Sequence, residues 1–138
     1  MRGLEPRVQK LIERGVSISA TFRRLVEELN ASDVMAHVRH QRMPDGFRGY
    51  LVHRVREANG LRYLHIAVDS RGAEARVIGL IAHELQHALE VARTPEVGRL
   101  RHIDEFFASI ADQGCRSAKC FETSAAVGVQ EAVLRELR

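Results

Sequence analysis

The chain has 138 residues, a formal net charge of +3 with its histidines neutral, and 45% hydrophobic residues. That length suits one domain, 1–138, able to bury a core without staples, and no apolar run approaches the ~18 residues of a membrane span. The positive charge is nearly all arginine, scattered from end to end with only Lys10 and Lys119 as lysines; without a basic block, interleaved aromatics or a nucleic-acid motif, it reads as a solvated surface and argues against a nucleic-acid partner.

Met1-Arg2-Gly3-Leu4-Glu5-Pro6 lacks the apolar stretch of a signal peptide, which leaves open a leader removed earlier. Pro6 to Arg14 is predicted as a short helix stopped by Gly15. Ser17 or Ser19 can cap a second helix that carries Phe22, Leu25, Val26 and Leu29 on one stripe. After Asn30-Ala31-Ser32-Asp33, strands are expected at Val34–Arg42, Phe47–Glu57 and Leu61–Val68. Pro44-Asp45-Gly46 marks a turn between the first two, and Asn59-Gly60 a two-residue hairpin between the last two. The expected arrangement is a three-stranded antiparallel meander. In its last strand Leu64, Ile66 and Val68 share one face, with Tyr63 and His65 on the other. Asp69-Ser70-Arg71-Gly72 leads into a long helix that Thr94-Pro95 ends. A further helix follows, marked by Leu100, Ile103, Phe107 and Ile110 and stopped near Gly114, and a final one from about Cys120 towards Leu137. Cys115 and Cys120 can close a small loop in an oxidising compartment or stay reduced in the cytosol. The location is extracytoplasmic if they are bonded or a leader was removed, and cytoplasmic otherwise.

The long helix holds His83-Glu84-Leu85-Gln86-His87. Residues i and i+4 of a helix project from one face, so both imidazoles can bind one metal ion. Glu84 stands to the side, placed to deprotonate a water. Zinc can bring the pKa of such a water from about 15.7 down to about 7. The flanks Val77-Ile78-Gly79-Leu80-Ile81-Ala82 and Ala88-Leu89 are apolar nearly all round, which marks a buried helix. Polar groups buried there need partners.

A catalytic zinc site needs a third protein ligand. A downstream histidine of the metzincin type is excluded, because Glu90 and Arg93 stand where glycine and histidine would be needed and no methionine follows Met43. Glu122 is the better candidate. Helical spacing puts it on the inward face of the last helix with Ala125, Ala126, Val129 and Val133, where a lone carboxylate would be costly to ionise. Its alternative is a carboxylate favoured at a helix N-terminus. Asp104 and Glu105 are weaker ligand candidates. Glu90 lies nearly a turn beyond His87 and suits a supporting role behind it.

An edge-stranded sheet, the His83–His87 helix and Glu122-Thr123-Ser124-Ala125-Ala126 together resemble the gluzincin zinc peptidases, and in size the small minigluzincins, over about residues 61–137. The resemblance implies an α+β, zincin-like fold in which the meander packs on the active-site helix and a C-terminal glutamate helix, after two N-terminal helices. It implies zinc held by His83, His87 and Glu122, with Glu84 as general base in peptide-bond hydrolysis. An extended peptide or protein substrate would lie along the edge strand, for which Leu61–Val68 is the natural candidate, with Tyr63 and His65 as substrate-binding residues. The sequence departs from the family downstream of Glu122, where no histidine or tyrosine is left to stabilise an oxyanion. A second reading therefore stands beside the hydrolase: a metal-binding domain of weak or no activity that docks peptides along its edge.

Overall fold

The computed structural model describes residues 1–44, 49–52, 54–111 and 122–138. Five helices and five strands follow one another among these residues: β1 (Arg2–Gly3), α1 (Pro6–Ile18), α2 (Ala20–Asn30), β2 (Val34–His40), β3 (Gly49–Leu51), β4 (Arg56–Ala58), β5 (Leu61–Val68), α3 (Glu74–Ala92), α4 (Ile103–Ile110) and α5 (Ser124–Glu136). The fold is α+β. Cys115, Cys120, Gly114 and the Asp45-Gly46 part of the expected turn lie outside the described residues.

The first helix runs on past Gly15, contrary to the expected stop there. A Cβ at Gly15 would come within 3.0 Å of the Phe22 ring and 3.1 Å of Ile78, so glycine lets α2 and α3 close onto α1 rather than ending it. Ser19 makes the break instead: it closes α1, and its hydroxyl accepts the Phe22 N–H at 3.0 Å to cap α2.

The sheet is mixed, which corrects the antiparallel meander. Its order is β1-β2-β5-β3, with β4 also paired to β5. β2 runs parallel to both β1 and β5, whereas β3 and β4 are antiparallel to β5. The expected strand Phe47–Glu57 is represented by two short pieces, β3 and β4, that share one flank of β5. After β2 the chain passes β5's place and returns along its far side, so β5 becomes central and β3 and β4 form the edge. Asn59 and Gly60, at φ of 52° and 77°, make the left-handed two-residue turn into β5.

Alternation along the strands sends Val34, Ala36, Val38, Leu64, Ile66 and Val68 into one core with helical residues such as Phe22, Ile78, Ile81 and Leu85. All helices whose core residues are described therefore serve one face of the sheet. In α3, thirteen of nineteen residues are buried, His83, Glu84 and His87 among them. That is the buried helix expected from its apolar flanks. Leu100, expected on a helical stripe, is 92% exposed; the carbonyl of Glu96 takes the amides of Arg99, Leu100 and Arg101 in a tight turn, and α4 begins only after His102 caps it.

Asp69 pins the segment before α3. Its buried carboxylate accepts the Met43 N–H at 3.1 Å, the Arg71 N–H at 3.2 Å and the Arg71 Nε at 2.7 Å. The Arg71 guanidinium and these amides hold its pKa well below the usual carboxylate range. A depressed folded pKa gives stability that is complete above the unfolded value, about 3.9, and is lost as pH falls through the folded one. Urea unfolding of wild type and Asp69→Asn should therefore differ by a constant amount at neutral pH, and the gap should shrink below about pH 4. A gap independent of pH down to acid unfolding would remove this role from Asp69.

Candidate metal centre

His83, His87 and Glu122 come together. One donor atom from each lies within 4.8 Å of the others, a set able to hold a metal ion. The two rings stand edge to face with centroids 5.0 Å apart, as i and i+4 on α3 require. Glu122 arrives from the far end of the chain, its Oε2 3.1 Å from His83 Nε2. It does not sit within the helix as its spacing suggested: α5 starts at Ser124, Thr123 is the cap, and Glu122 lies just ahead of it. Of the face expected to point inward, Ala126 and Val133 are buried, Val129 is half-buried and Ala125 is exposed.

Each imidazole is held from behind. His83 Nδ1 lies 2.9 Å from Gln130 Oε1, and His87 Nδ1 lies 2.9 Å from Glu90 Oε2. Acceptors at both Nδ1 atoms place the protons there and leave the Nε2 lone pairs for a cation. Thr123 links the two helices: its hydroxyl accepts the Ala126 N–H at 3.2 Å and donates to Glu90 Oε1 at 2.7 Å. The helix cap beside Glu122 thus also braces the carboxylate that orients His87. Glu90 has the supporting place expected of it. Gln130 and Thr123 stand at the site without having been singled out in the sequence. The close approach of α5 depends on Gly79, where a Cβ would meet Leu134 at 3.1 Å and Gln130 at 3.6 Å. Phe107 of α4 closes one side, its ring edge-on to His87 at 5.5 Å.

Glu84 is 6% exposed in residue surface and faces the sheet edge rather than the ligand side of the helix. Its Cγ lies 3.6 Å from where a Gly49 Cβ would stand. The bond from Val52 N–H to His65 O fixes the β3 register and turns the Leu51 amide away from β5; that amide hydrogen-bonds to Glu84. Burial raises the Glu84 pKa most, the charges of His87 and His83 oppose this, and Glu122 adds to it. The hydrogen bond from His83 lowers Glu122 against its own burial. Burial works to lower His83, but the bond to Glu122 and the charges of Glu84 and Glu122 outweigh it, and His83 is raised. The raised His83 and the lowered Glu122 are one interaction seen from its two partners: a carboxylate beside an imidazole favours positive charge at the ring, whether a proton or a metal ion. The donor set, its oriented tautomers and this polarity fit a divalent cation.

Tyr63 and His65 are not at this centre. Strand alternation puts them on the sheet face away from α3, where their rings lie 6.0 and 5.5 Å from His37. The strand that carries them, β5, has neighbours on both flanks, so it is not the exposed edge it was expected to be. The free edge at Glu84 belongs to β3. Asp104 and Glu105 lie in the first turn of α4 and are exposed. They take no part in the cluster. Comparisons with known protein families, with characterised proteins and with solved structures find no match to this chain.

Proposed function

We propose that the chain is a small zinc-dependent peptidase of zincin-like architecture, with His83, His87 and Glu122 as metal ligands and Glu84 as general base. The convergence of the three donors within 4.8 Å beside a buried glutamate, held from the sheet edge by the Leu51 amide, carries this reading. Zinc bound there would act as a Lewis acid and make a water acidic near neutral pH. Glu84 is placed to take the proton of the attacking water and pass it to the leaving amine. Its raised pKa suits a group that must give the proton back. The outer edge of β3, running past Glu84, offers backbone groups to an extended peptide. Gln130 and Glu90 hold the ligand rings; Phe107 walls the site.

One observation favours the second reading, a metal-stabilised domain that docks peptides without cleaving them. Tyr63 and His65 lie on the other sheet face, and His102 is an exposed helix cap. Tyr63 and His65 therefore cannot serve as the oxyanion donor, and among the described residues that work is left to the metal. Protein purified without a metal-affinity step, assayed for bound metal and for cleavage of denatured casein, separates the two. The peptidase reading expects one zinc per chain, activity lost on chelation and restored by zinc. Gln130→Leu should weaken zinc affinity roughly 10–100-fold, measured by competition with a chromophoric chelator. Zinc-loaded protein that leaves casein and peptide libraries intact would establish the docking role; failure to bind zinc at micromolar concentration would end both.

A further inference from the structure

Outside the metal centre, the sheet presents a second surface of distinct chemistry. The strand register aligns its open face into three rows: Arg56, Tyr63 and Met35; His65, His37 and Arg2; Tyr50, Ala67 and Arg39. Each row combines an arginine with an aromatic or imidazole ring. None of these positions is acidic. Successive rows are two residues apart, about 6.6 Å, and the rings of His37, Tyr63 and His65 are spaced 5.5 and 6.0 Å. Arg2, Arg56, Tyr50 and His65 are exposed. Burial first, and then the charges of His65, the N-terminus and Arg2, push His37 below its ordinary value.

We propose that this open face binds single-stranded nucleic acid, with bases stacked on the rings and phosphates met by Arg2, Arg39 and Arg56. Alternating cations and flat rings at a regular interval match a strand that alternates charge and base. An acidic protein segment would satisfy the arginines but give the rings nothing to stack on. The expectation of a merely solvated basic surface came from chain order, in which these residues are scattered; pairing of five strands gathers them. The proposal is independent of the hydrolase reading, because the face lies across the sheet from the metal centre.

Fluorescence anisotropy of the full chain with a labelled oligothymidylate of about 15 nucleotides tests it. Three phosphate contacts should give a slope of log affinity against log salt near −2. Arg2→Glu with Arg56→Glu should lower affinity at least about tenfold and flatten that slope. Tyr63→Ala should lower affinity roughly 5–100-fold with the slope kept. Lys10→Glu with Arg76→Glu makes the same change in net charge on α1 and α3, and should leave binding within about twofold. Circular dichroism and thermal melts confirm that each variant folds. Three outcomes would overturn the proposal: no binding at low salt, equal loss from the helical pair, or tighter binding to polyglutamate than to the oligonucleotide.

Discussion

Replacing Arg62 by alanine is expected to lower the stability of the fold by about 3–5 kcal/mol. Arg62 is fully buried although it sits in a strand. Its guanidinium makes a fork with Asp33, Nε to Oδ2 and Nη2 to Oδ1 both at 2.8 Å. The remaining donors go to backbone carbonyls: Nη1 to Val91, Thr94 and Val97, each at 3.0 Å, and Nη2 to Ala92 at 3.2 Å. Val91 and Ala92 end α3, where the last carbonyls have no partner within the helix and carry its negative pole. A strand arginine thus closes the helix that bears the two candidate metal ligands His83 and His87. Asp33 keeps Arg99 at 3.1 Å, and the Val91 and Thr94 carbonyls keep the Thr94 and Val97 N–H groups at 3.1 Å, so the loss in Arg62→Ala comes from a cavity and from the Ala92 and Val97 carbonyls more than from a bare carboxylate. Lysine cannot rescue it, since one compact ammonium cannot span the fork and the carbonyls together. Urea and thermal unfolding would register the change as a fall in Tm of roughly 10–20 °C. A loss under about 1 kcal/mol would mean that water takes over the carbonyls, and this account of Arg62 would be withdrawn.

Local periodicity made much of this legible and tertiary placement hid the rest. His83 and His87 share a face because of helical geometry alone. The bounds of β5 and the Asn59-Gly60 turn likewise follow from short-range pattern. Alternation, however, says which face a strand residue takes and not which strand lies beside it. That is why β5 was expected at an edge, and why Tyr63 and His65, on the face that alternation assigns them, were given a substrate-binding role at a centre that lies across the sheet. Arg62 had a visible signal: it shares the parity of Leu64, Ile66 and Val68, so a charged residue on that face demanded a buried partner. Glu122 was found as a carboxylate near small residues, yet its place ahead of the helix was set by Thr123, a better cap than Glu122 itself. Gln130 carried no such mark. Its contact with His83 depends on how closely α5 crosses α3 at Gly79, a distance no local pattern encodes.

On the proposed peptidase reading, Glu84→Gln should abolish peptide hydrolysis while leaving metal content, fold and substrate binding in place. Glutamine matches glutamate in shape, and the ligands His83, His87 and Glu122 are untouched. The amide can still face the Leu51 backbone beside which Glu84 lies, so the edge strand has no reason to shift. What disappears is the ability to accept a proton. General-base catalysis is worth about 10²–10⁴-fold, and the loss should fall in kcat with KM little changed. Glu84→Asp provides the finer comparison. It keeps the charge but withdraws the carboxylate by one methylene, and a misplacement of about 1 Å can cost up to 100-fold, so it should retain intermediate activity. If Gln and Asp lose activity equally with metal retained, the proton must be taken at the wild-type position, and a carboxylate one methylene short cannot take it. If Glu84→Gln keeps the wild-type rate, the proton passes through another group and the role assigned to this carboxylate is wrong. Burial makes the distinction sharp: with 6% of Glu84 exposed, bulk water has little room to substitute for it.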